Sequence, residues 1–153
     1  MRTVTMLLLL LFCVPAAAAP PASSPGSPPP YDAAAAARQV ESILAGLGDR
    51  RLLAANQVFS GVTIAPTSSA ERYLKIMDEA FSRSLGVDCT HCHDPRDWAR
   101  DARHKFAVTR AMWSMVYGIN QDQLRKIEGL DRKARVNCTT CHRGELKPAL
   151  DLD

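Results

Sequence analysis

Leu74, Met77, Phe81 and Leu85 recur three and four residues apart among polar neighbours, a period that predicts a helix with one apolar face. Ser68-x-x-Glu71 ahead of them has the form of a capping box, and Gly86 just beyond Leu85 is a natural stop. A second stripe, Phe106, Thr109, Met112, Val116 and Ile119, predicts a helix over about Arg103 to Tyr117. Asn120 and Gln123 could cap a short further helix through Ile127. Upstream, Asp32 to Leu47 is Ala-rich and predicts a helix ending near Gly46 and Gly48. Asn56 to Pro66, with short β-branched stretches around Gly61, predicts an irregular segment or a short strand. The pattern at the front differs in kind. Arg2 precedes an apolar run, Met6 to Val14, and then Ala16 to Ala19. That order is the signature of a cleaved signal peptide, and the run is short for a membrane span. Residues 1–19 are therefore expected to be removed on export, and the tract 20–30, with its prolines and serines, to be an extended linker.

Between the helices the chain carries the same short pattern twice. Cys89-Thr90-His91-Cys92-His93 and Cys138-Thr139-Thr140-Cys141-His142 both read C-x-x-C-H, the attachment signature of c-type haem. Two thiols on one turn can each form a thioether to a vinyl group on one edge of the porphyrin. The adjoining His then supplies an axial ligand. The expected cofactors are therefore two covalently bound haem c, attached at Cys89, Cys92, Cys138 and Cys141 and ligated by His93 and His142. Rival uses of the cysteines are a Cys₄ zinc site or structural disulfides. The two pairs are farther apart than in a usual zinc ribbon, and zinc does not require a His after each second Cys. Cys13 lies within the expected signal peptide, where Phe12 does not suit a lipoprotein signal.

The sixth iron ligand decides between an electron carrier and an open catalytic site. Met77, on the helix before the first motif, is the candidate for the first haem. Met112 and Met115 compete for the second, and helical periodicity barely separates them. His91 is expected to be a surface polar residue and His104 a solvated one at the start of a helix. Trp98 and Trp113 are expected to pack on haem or core. The supply of core residues is thin, with four Phe, two Trp and three Tyr in 153 residues, so the apo-chain is expected to fold poorly. The net charge of +3 is small and gives no sign of nucleic-acid binding. Arg132-Lys133-Ala134-Arg135 forms a local basic cluster that could face an acidic redox partner.

The ordered set Asn56-Gln57-Val58-Phe59, Met77, Leu85-Gly86-Val87-x-Cys89-x-x-Cys92-His93, Asp97-Trp98-Ala99, Thr109-Arg110-x-Met112-x-x-Met115, Ile119-Asn120 and Cys138-x-Thr140-Cys141-His142-Arg143-Gly144 resembles the cytochrome c subunit of photosynthetic reaction centres. That subunit is a tetrahaem protein built from dihaem halves, and this chain is similar to one half. The resemblance implies a mainly α fold in which two helix-plus-motif units are related by a local pseudo-two-fold, with little or no sheet. It implies Met77 and Met112 as the distal ligands, and so favours Met112 over Met115. Arg143 is placed to reach a haem propionate.

The sequence thus predicts an Ala-rich helical segment over 31–55, a dihaem cytochrome c domain over 56–147 and a short tail over 148–153. The expected protein is an exported or periplasmic carrier of single electrons, not an enzyme. Its partners would be a redox donor and acceptor, one of them membrane-bound if a reaction centre is involved. The alternatives are a peroxidase-like dihaem oxidoreductase with one open iron, and a haem sensor tethered by a retained signal segment.

Overall fold

A computed structural model describes residues 30–101 and 104–151. The expected signal peptide and nearly all of the linker lie outside the described residues. Helix α1 (Ala33–Leu47) forms where its alanine content predicts. The Asp32 carboxylate accepts hydrogen bonds from the backbone N–H groups of Ala34 and Ala35 at 2.9 and 3.0 Å, so two of the donors that a helix start leaves open are satisfied. The helix stops at Gly48, whose φ of 54° is open to glycine.

A 3₁₀ turn, Gly48–Leu52, leads to α2 (Ala55–Val58). The segment expected to be irregular or a strand therefore opens as one helical turn and continues as loop. The strand-like pairing nearby is an isolated bridge between Ala54 and Ser69. That bridge also moves a cap. Helix α3 (Ala70–Lys75) is capped by Ser69, whose Oγ accepts from the Arg72 N–H at 3.2 Å, while Ser68 Oγ donates to the Ala65 carbonyl at 2.8 Å. The capping box read at Ser68 and Glu71 is thus displaced by one residue, because the bridge holds Ser69 extended at the helix entrance. Glu71 instead faces Lys75 at 3.6 Å, one turn on.

Helix α3 runs on through a π-helical segment, Ile76–Ser82, into α4 (Arg83–Leu85) and stops at Gly86, φ 67°. The predicted apolar helix is thus present with a wider turn in its middle. Strands β1 (His93–Asp94) and β2 (Asp97–Asp101) then pair antiparallel, with His93 opposite Asp101. Helix α5 (Phe106–Gly118) starts later than its periodicity suggested. The Asp101 carboxylate accepts the N–H groups of Lys105 and Phe106 at 2.7 and 2.9 Å and sets the entrance. The chain continues through a second π-helical segment, Ile119–Gln123, and a 3₁₀ turn, Leu124–Lys126, before α6 (Cys138–His142).

The fold is mainly α, as expected, with one small hairpin among the described residues. Among the described residues the buried apolar side chains are Ala36, Ala55, Ile64, Ala70, Leu74 and Val87, four of them carried by α1, α2 and α3. Helix α5 buries no side chain, and Val108, Met112, Met115 and Tyr117 on it are exposed. Among the described residues no helix is long and apolar enough to cross a membrane.

Candidate functional site

Each C-x-x-C-H motif begins on a side-chain cap. In the first, Asp88 Oδ1 accepts from the Thr90 N–H at 2.9 Å and from Thr90 Oγ1 at 2.7 Å, which closes the 3₁₀ turn Cys89–His91. In the second, Asn137 and Thr140 form a reciprocal capping box. Thr140 N donates to Asn137 Oδ1, and Asn137 N donates to Thr140 Oγ1, both at 3.0 Å. Asn137 was not singled out from sequence, although Asn-x-x-Thr directly before a helical motif is a readable start signal. Both caps fix a pair of thiols on one tight turn.

The two histidines share one arrangement. His93 Nδ1 hydrogen-bonds the Trp98 carbonyl at 2.5 Å, and His142 Nδ1 the Glu145 carbonyl at 3.1 Å. A carbonyl only accepts, so Nδ1 carries the proton and, in the neutral ring, Nε2 keeps its lone pair. This is the orientation that iron or another transition metal needs of a ligand imidazole. Burial lowers the pKa of His93 and favours the neutral ring, against the opposing pull of the Trp98 carbonyl and Asp101. The His93 ring packs against Phe106 and Trp98, with ring centroids 5.0 and 5.9 Å apart. Trp98 therefore meets His93, as well as supplying the carbonyl that orients it.

The four cysteines described here are free thiols, so the disulfide alternative has no bond among them. Among the described residues, no group of three or more His, Cys, Asp or Glu side chains is placed to hold one metal ion, so the four do not form a tetrahedral set. Burial pushes the thiols of Cys89, Cys92 and Cys138 up. His91, expected at the surface, is buried, 6% exposed. The 3₁₀ turn that presents Cys89 and Cys92 directs the residue between them inward.

The methionines fall on different parts of the helices. Met77 is half-buried in the π-helical segment Ile76–Ser82, and Met112 and Met115 are on α5 at 36% and 45% exposure. Phe81 from the first helix meets Trp113 from α5, centroids 6.0 Å apart, and so joins the two Met-bearing helices. His104 is exposed, with φ 54°, just before α5.

One junction links the two motifs and was not read from sequence. Ser84 is almost fully buried, 1% exposed, and its Oγ lies 2.6 Å from Thr139 Oγ1, inside the second motif. Ser84 Oγ also donates to the Glu79 carbonyl at 3.3 Å. The Gly144 N–H donates to the Ser84 carbonyl at 2.9 Å. A Cβ on Gly86 would lie 1.8 Å from the Gly144 carbonyl oxygen, so the end of α4 and the end of α6 touch backbone to backbone.

The family described as photosynthetic reaction centre cytochrome C subunit matches residues 32–150. The chain belongs to this family. Among curated relatives, the photosynthetic reaction center cytochrome c subunit of Thermochromatium tepidum is 29% identical over 95 residues, covering 61% of this chain and 22% of that protein. The subunit of Roseobacter denitrificans is 30% identical over 104 residues, covering 60% and 28%. That of Rubrivivax gelatinosus is 28% identical over 109 residues, covering 58% and 29%. The match thus spans less than a third of the length of these relatives. Covalently bound haem c is the cofactor that a cytochrome c family implies. The donor set fits that group: paired thiols on a turn, an imidazole with Nε2 free, thioether sulfurs on neighbouring helices, and an exposed apolar face on α5.

Proposed function

We propose that the protein is an exported dihaem cytochrome c that passes single electrons between redox proteins. Cys89 and Cys92 hold one haem and Cys138 and Cys141 the other. His93 with Met77, and His142 with Met112, are the axial pairs, and Met115 is the weaker candidate for the last position. The observation that carries this reading is the matched state of His93 and His142. Each follows a thiol pair and commits Nδ1 to a backbone carbonyl, leaving Nε2 for iron. Bound haem supplies a one-electron couple, and thioether ligation raises its potential. The protein's part is to attach and orient the groups and to shield them from water.

Two further features support the reading. The Met-bearing helix of each unit passes into a π-helical segment, Ile76–Ser82 and Ile119–Gln123, and π segments recur at functional sites. The direct α4–α6 junction suits two haem units held at a fixed separation, which an electron relay requires. The two units are proposed to be related by a local pseudo-two-fold. Residues 1–19 are proposed as the export signal that delivers the chain to the compartment where haem c is attached, with 20–30 as spacer. The domain assignment, 31–55 and 56–147 followed by the tail 148–153, belongs to the same proposal, as do redox partners on one or both sides.

The test is to count covalent haem by pyridine haemochrome on protein matured in a cytochrome c-producing host, and then to measure carbon monoxide binding to the ferrous form. Two haems and little carbon monoxide binding are expected, with Met77→Ala and Met112→Ala each opening one iron to the gas. One haem or none would overturn the dihaem assignment. Strong binding by the unaltered protein would overturn the Met ligation and leave an open catalytic iron instead.

A further inference from the structure

Helix α5 and the loop after it enclose a cleft of about 220 Å³ whose lining includes Trp113, Tyr117, Asn120, Arg125, Arg132 and Arg135. Three arginines therefore line one small space, and no Asp or Glu does. Among the described residues none of the three arginines takes part in an ion pair. Like charges brought together without a counter-charge repel one another, and an anion between them reverses the sign of that interaction. Guanidinium is also the group best matched to a planar carboxylate, through paired N–H donors.

The cleft is built rather than incidental. Asn120 Nδ2 donates to the Val116 and Val136 carbonyls at 2.9 and 2.8 Å, and its Oδ1 accepts from the Val136 N–H at 2.9 Å. Those bonds use all of the Asn120 side chain's donors and tie α5 to the loop, so the two walls are held together. Arg135 Nε donates to the Lys133 carbonyl at 3.4 Å, a long bond that uses only one of its five N–H donors. The volume is below that of a usual small-molecule pocket, and suits one or two anionic groups rather than a whole porphyrin. Val136 immediately precedes Asn137, the cap of the second motif, so charge in the cleft lies next to the second attachment turn.

We propose that this cleft is a carboxylate-binding site served by Arg125, Arg132 and Arg135. The choice of carboxylate over phosphate rests on the proposed function, which brings two carboxylate sources here: acidic side chains of a redox partner and the propionates of the second haem. The cleft itself stands on its own geometry.

The experiment uses the reduced, haem-loaded full chain, with the haem count measured first. Citrate, and separately inorganic phosphate, are titrated at constant ionic strength while the Arg Nε–H and Trp113 indole resonances are followed by NMR. The variants are Arg132→Gln with Arg135→Gln, and Arg51→Gln as a distant control. Both potentials are measured across pH. Saturable citrate binding, weakened at least about tenfold in the double variant and unchanged in the control, identifies a site open to a partner's carboxylates. No citrate binding, with one potential and its pH dependence shifted in the double variant alone, identifies the propionates as the occupant. Citrate binding that ignores the double substitution, tighter binding of phosphate, or neither citrate binding nor a shifted potential overturns the proposal. A chain carrying fewer than two haems fails the functional reading and removes the propionate arm, while the citrate arm still decides the cleft.

Discussion

Asn137 shows how much one side chain does at an attachment turn. It closes both halves of a capping box on a helix of only five residues, too short to persist by propensity alone. Asn137→Ala should cost about 1 kcal/mol of stability and lower the melting temperature of the loaded protein by roughly 4 °C. Differential scanning calorimetry checks this, and an unchanged midpoint would show that the attached haem fixes the turn instead. Asp94 is a second single-residue control. Its carboxyl is held at about 2, first by the Arg96 side chain, at 2.9 Å, then by the Arg96 backbone N–H, with Arg100 3.5 Å away. The folded pKa lies below the unfolded value of about 3.9, so this contribution is complete above that pH and is lost as pH falls through about 2. The melting-temperature gap between the native protein and Asp94→Asn should therefore be widest above pH 4 and close toward pH 2. A constant gap would place the effect in shape rather than charge.

At the level of elements, the contact between the ends of α4 and α6 is the feature most exposed to disproof. The atom that a Gly86 methyl would strike is a backbone oxygen, which no rotamer change can move. Gly86→Ala should separate the two motifs, lower stability by more than the 1–2 kcal/mol or so of left-handed strain, and, with the two proposed haems attached, alter the Soret circular dichroism that would report their relative orientation. Gly61→Ala isolates the strain, because Gly61 has φ 69° and open space around its would-be Cβ. Equal effects from the two substitutions would mean that the junction does not hold the units together. The helices themselves were largely legible, since α1, the stretch from Ala70 to Leu85 and α5 follow alanine content and apolar period. The hairpin from His93 to Asp101 was not. Its Asp-Trp-Ala-Arg-Asp strand has no alternating apolar face to read; Asp94 pairs with Arg96 and Arg100 across it, and Asp101 accepts from the backbone at the α5 entrance.

For the whole molecule, the limiting quantity is apolar burial. Half of the buried apolar side chains are alanine, and among the described residues the largest side chain that is fully buried is a serine. A domain with so little interior gains little from burial to set against chain entropy. Protein made without haem attachment should keep far-ultraviolet helix signal but lack near-ultraviolet bands and a cooperative melt, whereas the loaded form should melt cooperatively. A cooperative, rigid apo-protein would show that the protein core suffices. The exposed apolar side chains of α5 belong to the same account, as a surface suited to a large apolar group.

The sequence by itself pointed to the proposed attachment chemistry, and determined the family and the order of helices, because thiol spacing, helical period and capping residues act over a few neighbouring positions. It also supplied the candidates Met77, Met112 and Met115, and left their choice to the family resemblance. Tertiary structure decided what depends on distant partners. It set the burial of His91, the Ser84–Thr139 bond, the meeting of Gly86 with Gly144, and the gathering of three arginines around one cleft. Each of these needs the far ends of separate elements brought within a hydrogen bond or a van der Waals contact, and no local pattern in the chain encodes that distance.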